Sequence, residues 1–242
     1  MMTISKRLSA IASRLFGFLF PQSCVCCGRR LLDQEQHVCT MCVALWPRTV
    51  LGDDHRDNIF ARRFWGVVGL VNGTTVFCYV PDSGFAKVVH AMKYGNNQSL
   101  CWFMGRMIMS SPQAANLLAD ADVLVPVPIN RQRLLRRGYN QSELLCKGIS
   151  SVTGLPVITT ALRRIRFVES QTLLTHQQRR ENVRGAFALG DTSAIEGRHI
   201  VIVDDVVTTG STTLECIFVL KDVPGIKISI LALSWTGGHW NE

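Results

Sequence analysis

The sequence predicts an α/β protein, a parallel sheet flanked by helices, with a small metal-binding knuckle in front of it. Three observations carry that expectation. Ile200 to Val203 is a continuous β-branched run ending in Asp204-Asp205, as in a strand buried on both faces. Apolar strand-like runs and helical patterns alternate from Ser83 onward, which favours parallel strands joined by helices. Cys24/Cys27 and Cys39/Cys42 form two C-x2-C pairs with eleven residues between them.

Composition sets the outer bounds. A chain of 242 residues can bury one sizeable core and carry a satellite. Its 47% hydrophobic and 18% charged content excludes a disordered or fibrous chain. The formal net charge of +8 favours a polyanionic partner, either a phosphorylated small molecule or nucleic acid, and does not choose between them. Nine cysteines, four of them in x2 pairs and the rest single, suit a reduced compartment with a metal site better than a secreted disulfide framework.

Residues 1–22 read as an amphipathic helix that docks on the body. Ile4, Leu8, Ile11, Leu15 and Phe18 share one face opposite Lys6, Arg7 and Arg14. The run Leu15 to Phe20 is too short to span a bilayer, and Arg14 interrupts the apolar stretch before it. Stable membrane insertion is therefore not expected, and the chain is read as cytoplasmic. Residues 23–50 form the knuckle, in which Cys24, Cys27, Cys39 and Cys42 complete a tetrahedron around structural zinc. Cys26 could compete with Cys27, and His37 is a further candidate ligand. Residues 51–82 read as a polar linker followed by a β-hairpin, Trp65 to Val71 and Thr74 to Val80 about Asn72-Gly73.

Residues 83–242 form the main domain. Ser83 caps a helix with Phe85, Val88, Val89 and Met92 on one face, closed by Gly95, with Lys93 and Tyr94 at its end. Helices follow at Leu100 to Met109 and Ser142 to Ile149, with strands at Asp122 to Val127 and Leu155 to Thr160. Between them Arg131, Arg133, Arg136 and Arg137 crowd a segment that starts at a strand's carboxyl end, where bidentate guanidinium groups suit phosphate; a solvated basic face or a nucleic-acid patch is the alternative. Arg163 to Gly190 is long, polar and weakly periodic, the make-up of a closing lid. Strands Ile200 to Val203 and Ile226 to Leu233 flank a helix, Leu214 to Lys221.

The chemistry concentrates after Val203. Ligands of open α/β sheets bind outside the carboxyl ends of the strands. There Asp204 and Asp205 offer two carboxylates, fit for the hydroxyls of a ribose or for magnesium held through waters. Val207, Thr208, Thr209, Gly210, Ser211 and Thr212 then make a small hydroxyl-rich turn into a helix, whose free N–H groups suit a phosphate.

Asp204 to Gly210 resembles the phosphoribosyl-pyrophosphate (PRPP) motif of type I phosphoribosyltransferases. Several blocks in order resemble the ComF/GntX family of phosphoribosyltransferase-like proteins: the cysteine knuckles, Lys93-Tyr94-Gly95, Val125 to Pro128 with Arg136 to Gln141, Gln171-Thr172 to Arg179 with Asn182 and Ala186-Phe187, and Val203 to Thr212. The resemblance implies a type I phosphoribosyltransferase-like sheet. It implies that Asp204 and Asp205 hold the ribose hydroxyls and that Thr208 to Thr212 cradle the 5′-phosphate. Magnesium would accompany PRPP, and Pro128 to Arg137 would face the diphosphate. Arg136, Arg137 and Lys93 are candidates for stabilising that diphosphate as it leaves. The family further implies competence or the use of DNA as a nutrient, with single-stranded DNA and DNA-uptake or helicase proteins as partners. Trp46, Phe64, Trp65 and Tyr139 are candidate base-stacking residues, and an active transferase with an unknown acceptor is the alternative function.

Overall fold

The computed structural model describes residues 22–51, 57–66, 70–165 and 185–237. The expected helix over residues 1–22, but for its last residue, and most of the expected lid lie outside the described residues.

Four parallel strands form the sheet, in the order β1 (Leu70–Cys78), β6 (Lys227–Trp235), β5 (His199–Val207) and β2 (Val123–Pro126). The unbroken apolar run in β5 is explained by two cores, one on each face. Val201 and Val203 face a core shared with the knuckle and four helices: α2 (Gly84–Tyr94), α3 (Gln98–Ile108), α4 (Pro112–Ala119) and α6 (Gln141–Thr153). Ile200 and Ile202 face the other, built with α7 (Ser211–Leu220), a 3-10 turn (Ala61–Phe64) and a small antiparallel hairpin, β3 (Leu162–Arg164) with β4 (Phe187–Leu189). The α/β class and the parallel sheet are therefore as expected.

The β-hairpin about Asn72-Gly73 is not formed. β1 runs straight through both residues and pairs in parallel with β6. The glycine serves a close approach instead of a reversal. A Cβ on Gly73 would lie 3.4 Å from Ala61 Cα, and Asn58 Nδ2 donates to the Gly73 carbonyl at 3.0 Å. Asn72 is itself buried in the sheet, where a turn residue would be solvated.

Other differences are smaller. The arginine-rich segment is a short helix, α5 (Arg131–Arg137), capped by Asn130 and ended by Gly138 at φ 78°, not an open loop. Leu155 to Thr160 supplies only a single parallel bridge, Val157 to Leu124. Helix α4 and the β3–β4 hairpin were not anticipated, because each carries too few residues for a clear period.

The knuckle includes a short helix, α1 (Thr40–Ala44). It rests on the body through buried Trp46, whose ring meets Phe77 and Phe85 edge-on at 5.3 and 5.4 Å. Lys87 Nζ also donates to the Cys26 carbonyl at 3.1 Å.

Candidate functional site

β5 extends past its apolar run, so Asp204 and Asp205 occupy its last turns of pleat and not the loop beyond. Asp204 is 8% exposed. Its Oδ1 accepts from the Asp205 backbone N–H at 2.9 Å and from Ser142 Oγ at 3.4 Å. Burial, and next the charge of Asp205, push the Asp204 carboxyl up to about 7. Asp205 is tied more firmly: Oδ1 accepts the Val206 N–H at 2.7 Å, and Oδ2 meets Lys93 Nζ at 3.1 Å. Lys93, at the end of α2, thus reaches the acidic pair.

The turn after β5 leads into α7 through a glycine N-cap. Gly210 precedes α7 with φ 80°, and no side chain caps the helix. A Cβ on Gly210 would also stand 3.0 Å from Phe64 Cε1, so sterics and the left-handed backbone both demand glycine. Thr209 Oγ1 and Ser211 Oγ lie 2.8 Å apart, and the Ser211 N–H donates to Thr209 Oγ1 at 3.3 Å. Arg63 Nη2 donates to the Thr209 carbonyl at 3.3 Å and holds the turn from outside. Such a turn, with the macrodipole of a ten-residue helix behind it, can accept a phosphate. Beside it, the carboxylates of Asp204 and Asp205 suit ligand hydroxyls, so the residues present fit a phosphorylated ribose.

Arg136 and Arg137 stand next to Lys93, not on the acids themselves. With Lys93, Tyr94, Asn96, Leu135 and Gly138 they line a groove of about 480 Å³. Both guanidinium groups lie over the Tyr94 ring, at 5.9 and 5.3 Å. Two further cations feel the charge of the acids: Arg133, which the sequence placed in the arginine segment, and Arg164, which sequence reasoning did not single out. Arg133 and Arg164 are both held below the usual guanidinium range, first by burial and then by repulsion from other arginines, with the acidic pair acting in the opposite sense. Arg164 comes from β3, whose three residues gave no signal. Of the stacking candidates, Trp46, Phe64 and Tyr139 are buried core residues and are not available to a base; Trp65 is exposed beneath Arg62 at 5.4 Å.

In the knuckle, ligand atoms of Cys24, Cys27, Cys39 and Cys42 all lie within 4.8 Å of one another. A thiolate tetrahedron around zinc has sulfur–sulfur edges of about 3.8 Å for a metal–sulfur bond of about 2.3 Å. Cys27 Sγ and Cys39 Sγ are 3.8 Å apart. The Cys39 N–H donates to Cys24 Sγ at 3.3 Å, and the nearby Arg29 guanidinium brings the Cys39 thiol down to about 6. The four thiols could hold a metal such as zinc. Cys26 is not in the cluster: its side chain packs under Gly84, where a Cβ would meet it at 3.4 Å.

The chain has relatives among curated proteins. DNA utilization protein YhgH of Escherichia coli O157:H7 is 35% identical over 144 residues, covering 58% of this chain and 62% of the relative. YhgH of Salmonella typhi is 29% identical over 205 residues, covering 81% and 88%. Competence protein F of Haemophilus influenzae is 32% identical over 114 residues, covering 47% and 50%. The chain thus spans only about 62% of the length of the first of these relatives. No family model matches. Among solved structures, the PRPP amidotransferase of B. subtilis complexed with ADP and GMP is 21% identical, with a TM-score of 0.35, over 57% of this chain and 26% of that one. The relatives bear the names that the ComF/GntX resemblance implied, and the chain is a homologue of these DNA utilization and competence proteins. Among the described residues, no helix is long and apolar enough to cross a membrane.

Proposed function

We propose that the chain binds PRPP with magnesium at the carboxyl edge of its sheet and serves the uptake, processing or utilization of DNA in the cytoplasm. One observation carries the PRPP reading: two carboxylates lie in the last residues of the central strand, and a short hydroxyl-rich turn leads from it into a helix whose N-cap is Gly210, without a side-chain hydrogen bond of its own. Asp204 and Asp205 would hold the ribose hydroxyls, Thr208 to Thr212 the 5′-phosphate, and Lys93, Arg136 and Arg137 the diphosphate. Magnesium would supply charge neutralisation of the diphosphate when bound. The chain's own share is to orient the ribose and to steady the charge at the diphosphate oxygens. Zinc in the four-thiolate knuckle would be structural, since no ligand position is left open. Free cysteines throughout the described residues support a reducing compartment. The names of the relatives support the link to DNA, and the exposed arginines of α5 and the net charge of +8 suit a strand of nucleic acid.

Calorimetric titration of the full chain with PRPP and magnesium tests this reading. Saturable binding is expected, with a loss of at least tenfold for Asp204→Asn with Asp205→Asn. Equal affinity of wild type and variant would contradict the assignment. Release of diphosphate when candidate bases are added would make the protein an active transferase; binding without release would leave a sensor or scaffold.

A further inference from the structure

The Met92 carbonyl belongs to the last turn of α2, where helix carbonyls lack intrahelical partners. It is met from outside the helix. Tyr139 Oη donates to it at 2.8 Å and Gln141 Nε2 at 3.2 Å, with the Cys101 thiol more distant at 3.8 Å. Tyr139 Oη also accepts the Asn97 N–H at 3.1 Å, which fixes the turn that follows α2. Gln141 is 1% exposed, and its other end is used too: Oε1 accepts from Arg137 Nη1 at 2.9 Å. The next residue after Met92 is Lys93, whose ammonium lies 3.1 Å from Asp205 Oδ2.

We propose that Tyr139 and Gln141 are positioning residues: the Gln141 amide ties Arg137 to the Met92 carbonyl, and with Tyr139 it sets where Lys93 meets Asp205. The amide is suited to this because it donates at one end and accepts at the other, and both ends are used. Hydrophobic packing in the shared core holds both α2 and α6, but it would not fix the height of Lys93 relative to Arg137. Two cations that must face one diphosphate need that relative placement. Arg137 also lies over the ring of Tyr94, itself on α2, at 5.3 Å, and Gln141 adds to that contact the directional hydrogen bonds to Arg137 and to the Met92 carbonyl. The proposal deepens the PRPP reading and rests on it for its ligand, but its geometric content does not depend on any ligand.

The test uses the full chain and Gln141→Leu, with Tyr139→Phe as a milder variant that keeps the ring in the core. PRPP and ribose 5-phosphate, each with magnesium, are titrated into each protein. Gln141→Leu is expected to weaken PRPP by about tenfold and ribose 5-phosphate by less than twofold, because only PRPP presents a diphosphate to Lys93 and Arg137. Tyr139→Phe is expected to give a smaller loss in the same sense. An equal loss for both ligands would mean a merely structural role and would overturn the proposal, as would no loss for either. A second readout needs no ligand: the rate of reductive methylation of Lys93 by formaldehyde, followed by mass spectrometry with Lys221 as control. A faster rate at Lys93 alone in Gln141→Leu is expected; an unchanged rate overturns the proposal. If wild type binds no PRPP while Lys93 responds as expected, the PRPP reading fails and the positioning role stands.

Discussion

At the residue scale, Asp204 is the group whose environment departs furthest from that of an ordinary carboxylate. Its unfolded carboxyl titrates near 3.8, and burial beside Asp205 moves the folded one to about 7. Between those values the folded chain keeps a proton that the unfolded chain has released. Its contribution to stability therefore declines as pH rises from about 4 to about 7 and stays low above that. Asp204→Asn removes this term. Thermal unfolding from pH 4 to 8 is expected to show a flatter profile for the variant, with a Tm at pH 8 at or above that of wild type; parallel profiles would contradict the assignment. Ligand binding runs the other way, since a ribose hydroxyl is better accepted by the ionised carboxylate. A residue that costs stability near neutral pH and is used by a ligand is the pattern expected of a functional site. The two acids and the turn residues were legible because strand, acid pair and hydroxyl-rich turn occur in order. Arg164 was not, because its proximity to Asp204 arises through a hairpin far away in the chain.

At the element scale, two contacts decide how the site is supported. Helices α3 and α6 cross almost backbone to backbone: a Cβ on Gly148 would fall 2.2 Å from the Trp102 carbonyl oxygen and 2.9 Å from Gly105 Cα. Gly148→Ala is expected to cost about 1–3 kcal/mol in urea unfolding, since backbone on both sides must give way. A change within experimental error would show that the helices have slack. Because α6 also carries Gln141 and Ser142, which touch the site, this crossing fixes more than stability. The second contact is the knuckle. Removing its metal with a chelator is expected to lower Tm and shift the fluorescence of buried Trp46 to the red, because Trp46 follows the last cysteine by four residues and packs between knuckle and body. Metal-free protein with unchanged Tm would refute the site. Element types were legible wherever the period was long, as in α2, α3 and α6. Asn72-Gly73 misled because a local turn signal was overruled by a tertiary one: the 3-10 turn needed a residue without a side chain beside it, and β6 supplied a parallel partner on the same strand.

At the scale of the whole molecule, the sheet serves as a platform with one working edge. All four strands run in parallel, so their carboxyl ends face the same way, and the acids of β5 and the start of α7 share that edge. Helix α2 brings Lys93 to it, and α5 adds arginines along a groove that opens outward. The knuckle packs against β1 and α2 through Trp46. The central claim is that this edge is a PRPP site, and phosphorus NMR of magnesium-PRPP titrated with the protein tests it most directly. The account predicts that the 5′-phosphate and both diphosphate resonances broaden together with wild type and stay sharp with Asp204→Asn, Asp205→Asn. Sharp resonances with wild type, or equal broadening with the variant, would contradict it.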